Sequence, residues 1–302
     1  MKGVNWRRVL TFLGITYAID WAIAGGLWLS GAPLPGPVAT AVAMAYMVVP
    51  AAVAIVLARR WEVPLASYGV RVPRNWYLAL APLAPMLLAV MTIAVAVLLG
   101  FAQYDPSGAG GIERMERIAG PQTAEQMRSA WETLPVNPLL LALLSAPIAG
   151  FTINGLFAFG EELGWRGLLQ QELAPLGFAR ASMLIGFVWG LWHAPLILQG
   201  HNFPEHPRLG VLVMIAACIP LGILMSWLAL RAQTVIAAAV AHGTFNAAAG
   251  ITLLAMRGGE AIEILPLGYA GIVAMVPLVL VVLALRPPVR YEDLQEPGDE
   301  MV

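Results

Sequence analysis

Glu161 and Glu162 are adjacent carboxylates, and Arg166 follows four residues after the second, in Glu161-Glu162-Leu163-Gly164-Trp165-Arg166-Gly167. The cluster closes a long apolar run in a chain otherwise almost free of charge. Two further polar groups sit inside later apolar runs: His193, and His242 with Asn246 four residues on. Ionisable groups in a hydrocarbon layer are costly and need a reason to be there. These residue types are the ones hydrolysis uses. A carboxylate can take a proton from water, and a neutral imidazole can position or deprotonate it. A His N–H and an Asn amide on one helix face can donate jointly to a developing oxyanion.

Helical spacing begins to sort the roles. Glu162 and Arg166, at i and i+4, pair along one face. Arginine cannot lose its proton, so a half-buried Arg166 wants a carboxylate. Glu162 and Arg166 therefore take a mutual, structural role. Glu161 points about 100° away around the helix, is left without a partner in sequence, and becomes the candidate general acid or base. Local spacing fits equally a helix end with a solvated EExxxR face. His193 lies in Trp189-Gly190-Leu191-Trp192-His193-Ala194-Pro195. A lone intramembrane His is often an interhelical hydrogen-bond partner, so its structural and catalytic readings both stand. His242 and Asn246 share a face flanked by small residues at 237–239, 243 and 247–249 that permit close helix approach. Their plainer reading is a polar interhelical clamp. Asp20, in the first apolar run, has no assigned place in the site.

Composition says what must position these groups. The 302 residues are 59% hydrophobic and 12% charged, where a soluble domain carries about 25% charge; mean hydropathy is +0.76. A spanning helix needs about 20 mostly apolar residues. Eight runs qualify: 9–29, 38–57, 76–101, 139–159, 179–198, 209–230, 235–254 and 264–285. The expected fold is all-α, a polytopic membrane bundle of about eight transmembrane helices. The first run is too long for a cleaved signal peptide. Net charge is −1, which argues against nucleic acid as a partner, and the single cysteine, Cys218, excludes an internal disulfide.

Lys and Arg set the orientation. With the N-terminus inside, the inner segments carry twelve of them and the outer segments five. Both termini are therefore expected in the cytoplasm, with the protein integral to the plasma membrane. Residues 59–75 suit a basic headgroup-level segment. Residues 102–137 form the longest polar loop, with an amphipathic helix expected at 124–134. Residues 286–302 read as a Pro- and acid-rich disordered tail. Measured from the cytoplasmic side, His242 lies about 10 Å in at 1.5 Å per residue, and His193 nearly twice as deep. A funnel open to the cytoplasm, or a fifth helix that begins before the bilayer, would reconcile them.

At these residues the chain resembles the CAAX-protease and bacteriocin-processing (CPBP, or Abi) family. Its three motifs, EExxxR, aromatic-xxx-His and His-xxx-Asn, read here as Glu161-Glu162…Arg166, Trp189…His193 and His242…Asn246, in order and on separate helices. The second motif usually begins with Phe; Trp189 stands in that place. The resemblance implies an eight-helix intramembrane endopeptidase whose core is 139–255. Residues 1–138 hold the first spans and outer loop, and 256–302 the last span and tail. It implies that Glu161 and His193 activate water, that His242 and Asn246 form the oxyanion hole, and that Glu162 and Arg166 organise the first motif. Family members are widely labelled metalloproteases. A divalent metal such as zinc would have to draw on Glu161, His193 and His242, three ligands being usual for catalytic zinc; the oxyanion scheme needs none. Implied partners are the lipid bilayer and a peptide or membrane-protein substrate. Two other classes compete: a non-catalytic membrane adaptor with the same fold, and a proton-coupled transporter, for which inverted repeats are expected and none is evident.

Overall fold

The computed structural model describes residues 3–32, 34, 36–72, 75–285 and 287–291. The chain opens with three long helices, α1 (Trp6–Ser30), α2 (Pro37–Arg60) and α3 (Tyr77–Leu98). Two short ones follow, α4 (Ala109–Ala119) and α5 (Pro121–Glu132). Next come α6 (Pro138–Phe151), α7 (Ile153–Glu162), a π-helical segment Leu163–Leu169 and α8 (Gln170–Leu173). The rest is α9 (Phe178–Trp192), α10 (Ala194–Leu198), α11 (Pro207–Ala232), α12 (Val235–Leu254), α13 (Ala261–Ile264) and α14 (Tyr269–Ala284). Among the described residues the one sheet is an antiparallel pair, β1 (Gln103–Tyr104) with β2 (Met256–Arg257), Gln103 opposite Arg257.

This is an all-α polytopic bundle and an integral membrane protein. Among the described residues seven helices are long and apolar enough to span, and eight if α6 and the helix after it count as one bent span. Many large apolar side chains along these helices are exposed, among them Leu10, Leu83, Leu87, Leu144 and Leu280, the surface a lipid-facing bundle presents. Pro50 lies inside α2, where it is buried, and Pro220 lies half-buried inside α11. Membrane helices accept such prolines because neighbours satisfy the freed carbonyl groups.

The fourth span departs from the straight helix expected at 139–159. It breaks at Thr152 (φ −121°, ψ −120°) and bends by 50°. Pro147, inside α6, removes one ladder donor just before the break. The bend brings α7 hard against α12. A Cβ on Gly243 would lie 2.5 Å from the Gly155 nitrogen, and one on Gly150 would lie 2.0 Å from Thr244 Oγ1. Backbones this close leave room for nothing but glycine. On its other side α7 packs on α2, where a Cβ on Gly160 would meet the Met47 carbonyl at 2.4 Å. The elements before residue 139 thus position the motif-bearing helices.

Two expectations about connections are corrected. The helix expected at 124–134 is α5, starting at Pro121. The preceding α4 has no counterpart in that reading, and it buries Ile112 and Arg114 against the bundle. The tail expected to be disordered from 286 lies outside the described residues from 292 on. Tyr291, inside that stretch, is fully buried and donates to the Arg166 carbonyl at 2.7 Å. A side chain on Gly69 (φ +77°) would collide with its ring at 2.4 Å.

Candidate active site

Both carboxylates of the first motif are inside the protein. Glu161 is 2% exposed, and Glu162 and Arg166 are completely buried. A solvated helix end is therefore excluded. Arg166 Nη1 donates to Glu162 Oε1 at 2.9 Å, the i,i+4 pair that the spacing requires. Arg166 lies in the π-helical segment, all seven residues of which are buried. Single π-turns often mark functional sites because they re-aim side chains within a helix.

Glu161 has a partner that sequence spacing could not supply. The Trp189 indole Nε1 donates to Glu161 Oε2 at 2.7 Å. The same ring lies under the Arg166 guanidinium, 4.3 Å from its centroid, and meets His193 and His242 edge-on at 5.6 and 5.3 Å. Trp189 therefore touches members of all three motifs. The visible signal was the Trp standing where Phe is usual.

The two imidazoles are held differently. His193 follows the last residue of α9 and precedes α10, so it sits at a break within the fifth span. Its Nδ1 is 2.8 Å from the Trp189 carbonyl. A carbonyl only accepts, so Nδ1 carries the proton and Nε2 is left to take one. His242 Nδ1 is 2.8 Å from Glu162 Oε1, the oxygen already bonded to Arg166. The ring thus donates from Nδ1 to the carboxylate. Asn246, one turn beyond, is exposed.

Glu161, His193, His242 and Asn246 line one cavity of about 500 Å³. Asp20 supports its wall from behind. It is fully buried and accepts from Trp192 Nε1 at 2.7 Å, and Tyr46 donates to the Trp192 carbonyl, also at 2.7 Å. Cys218 is buried and lines the cavity as an apolar group.

The cavity opens on the face that carries the 102–137 loop, not on the face with the chain termini. From His242 the lining continues through Asn246, Gly250 and Leu253 along α12, then to Arg114, Asn202, Glu205 and Pro266. These last lie in the connections that share a face with the 102–137 loop. The face with the chain termini is closed by the π-helical segment, Tyr68 and Tyr291, all buried. Seen from the open face, His193 is the shallower imidazole, so the depth mismatch disappears without a cytoplasmic funnel.

Zinc on Glu161, His193 and His242 finds no ready cradle. Among the described residues no three His, Cys, Asp or Glu side chains are grouped as a metal requires. Trp189 holds Glu161 Oε2, Glu162 holds His242 Nδ1 and the Trp189 carbonyl holds His193 Nδ1, so the donor atoms these three side chains keep are Glu161 Oε1 and the two imidazole Nε2 atoms.

Residues 135–248 match the family model described as type II CAAX prenyl endopeptidase Rce1-like. The matched segment is less than half of the chain. It contains all three motifs and bears out the resemblance drawn from them. The chain is also similar to a protein named CAAX prenyl protease 2 from Methanococcus maripaludis, 31% identical over 140 residues. That similarity covers 37% of this chain and 51% of the relative, so the chain spans about half the length of the curated relative it matches. The segment that resembles the family thus coincides with the bent span, α9, α10, α11 and most of α12.

Proposed function

We propose that this protein is an intramembrane endopeptidase that hydrolyses a peptide bond of a membrane-associated peptide or protein. The observation that carries the reading is the convergence of Glu161, His193, His242 and Asn246 on one cavity among apolar helices. A water held between Glu161 and His193 Nε2 attacks the carbonyl carbon, and its proton passes to Glu161. The carbonyl oxygen becomes an oxyanion that accepts from His242 Nε2 and the Asn246 amide. Because Nδ1 already donates to Glu162, His242 can donate from Nε2 only as the imidazolium. The carboxylate 2.8 Å away supplies its counter-charge. The C–N bond then breaks, and the departing amine takes the proton from Glu161. One water is consumed and the enzyme is restored. Glu162, Arg166 and Trp189 hold these groups in place.

The excess of Lys and Arg on the face with the termini supports a cytoplasmic position for that face, and the plasma membrane is the membrane we propose. The cavity mouth then opens on the non-cytoplasmic side. The name of the relative makes a prenylated C-terminal peptide the first substrate class to try. The test is the purified protein in lipid vesicles with a farnesylated Cys-Val-Ile-Ala peptide, read by mass spectrometry. Product is expected from the wild type and not from Glu161→Ala, and dialysis against a chelator leaves the wild-type rate unchanged. Equal product from both proteins would overturn the role of Glu161.

A further inference from the structure

Tyr291 lies outside the matched segment 135–248, yet it bonds to the backbone of the first motif. The chain reaches that place from the end of α14 through Pro287 and Pro288, and Pro288 is buried. Proline fixes φ near −65° and so narrows the path at both positions. The phenol then donates to the Arg166 carbonyl at 2.7 Å, with the whole residue buried. That carbonyl has lost its usual donor. In an α-helix it accepts from the N–H four residues on, here that of Gln170. The Gln170 N–H turns back instead to the carbonyls of Gly167 and Trp165, within the widened turn of the π-helical segment. A buried carbonyl passed over in this way is costly unless another group answers it.

The ring is seated as closely as the hydroxyl. Against it lies Gly69, which ends the short helical turn Leu65–Tyr68 at φ +77°, and a Cβ there would lie 2.4 Å from Tyr291 Cζ. The Tyr68 carbonyl closes on the π-helical segment, 3.0 Å from where a Cβ on Gly167 would stand. The Gly69 carbonyl accepts at 2.9 Å from the N–H of Val235, the first residue of the helix that carries His242. Phe178 at the start of α9 and Leu230 near the end of α11 complete the apolar seat. From Arg166 two bonds lead on to the site, Nη1 to Glu162 Oε1 and His242 Nδ1 to the same oxygen. We propose that Tyr291 is a positioning residue for the hydrolysis: its hydroxyl holds the π-helical turn at Arg166, and that turn holds the Glu162–His242 contact in place. This rests on the peptidase reading and deepens it. Tyr291 lies behind the motif on the closed face and not in the cavity lining, so its hydroxyl governs rate and not substrate affinity.

The test separates the hydroxyl from the ring. Tyr291→Phe keeps the ring against Gly69 and removes only the donor. In lipid vesicles with the farnesylated Cys-Val-Ile-Ala peptide, kcat per folded molecule is expected to fall about tenfold, the worth of one buried hydrogen bond, with KM unchanged. Para-aminophenylalanine at position 291 returns a donor to the same end of the ring and is expected to restore most of the rate. Hydrogen–deuterium exchange reads the contact without substrate: peptides covering 163–170 should exchange faster in Tyr291→Phe, and those covering α11 at the wild-type rate. Deletion of residues 295–302, which leaves Tyr291 in place, should keep the wild-type kcat. An unchanged kcat or unchanged exchange in Tyr291→Phe, a loss confined to KM or to thermal stability, a restored donor that does not raise the rate, or an equal loss on deletion of 295–302 would overturn the proposal. Product from neither protein fails the peptidase reading itself, and exchange then still shows whether Tyr291 holds the turn. Wild-type hydrolysis with an equal rate in Tyr291→Phe removes the positioning role alone.

Discussion

Glu162 Oε1 accepts hydrogen bonds from both Arg166 Nη1, at 2.9 Å, and His242 Nδ1, at 2.8 Å. One oxygen thus joins the cation of the first motif to the imidazole of the third, eighty residues away in sequence. Glu162 is more than a counter-ion to Arg166: it fixes which His242 nitrogen faces away from the carboxylate. Glu162→Ala leaves a fully buried guanidinium unpaired. Breaking a buried pair from one side costs about 3–5 kcal/mol. Denaturation in detergent is expected to show that loss, and a wild-type curve would contradict it. Glu162→Gln keeps the volume and an acceptor, so it should retain more stability while still losing turnover.

Trp189→Phe tests the indole N–H on its own. Phe is the residue usual at this place in the motif, so the variant should fold. It keeps the ring face beneath Arg166 and loses only the donor to Glu161. A hydrogen bond to a charged group is worth about 1.5–3 kcal/mol, which as a transition-state effect is about ten- to a hundredfold in rate. The expected result is a fall in kcat with KM unchanged. An unchanged kcat would make Trp189 a packing residue only.

His201 gives the protein an acid-sensitive mouth. It lines the cavity in the connection between α10 and α11, and burial lowers its pKa from the ordinary value of 6.5. The unfolded chain therefore binds this proton more readily than the folded one. The stability this group allows is complete above pH 6.5 and is lost as pH falls from there through the lower folded value. Thermal unfolding measured from pH 7.5 to 5 should fall for the wild type and fall less for His201→Gln. Parallel curves would remove His201 from the account.

The side on which the mouth opens can be read with thiols. Cys218 is the sole cysteine and is buried, so a Cys218→Ser background is silent. Gln122, exposed on α5, shares the mouth face, and Arg60, exposed at the end of α2, the opposite one. In intact cells a membrane-impermeant maleimide should label Gln122→Cys, and Arg60→Cys only after permeabilisation. The reverse pattern would place the mouth in the cytoplasm.

Local repeats of three and four residues carried much of this site into the sequence. The Glu162–Arg166 pair and the shared face of His242 and Asn246 follow from helical spacing, and the spans follow from hydropathy. What distance along the chain hid was long-range contact. Nothing local pairs Trp189 with Glu161, or Glu162 with His242. The bend at Thr152 depends on Gly150, Gly155 and Gly243 meeting across two helices, which a window on one helix cannot see. Tyr291 lies in a segment whose composition reads as disordered, yet one aromatic with a buried partner orders its start. The face on which the cavity opens is not legible in spacing, because depth counted along each helix fits more than one arrangement. The closure of that side by Tyr68, Tyr291 and the π-helical segment is a packing result.

The most direct test of the central claim is comparative peptidomics of membranes from cells lacking this protein, complemented at matched expression with wild type, Glu161→Ala or His242→Ala. Peptides that appear only with the wild type are the predicted result. If both variants yield the wild-type peptide set and restore whatever defect the deletion causes, the protein does not act by hydrolysis at this site.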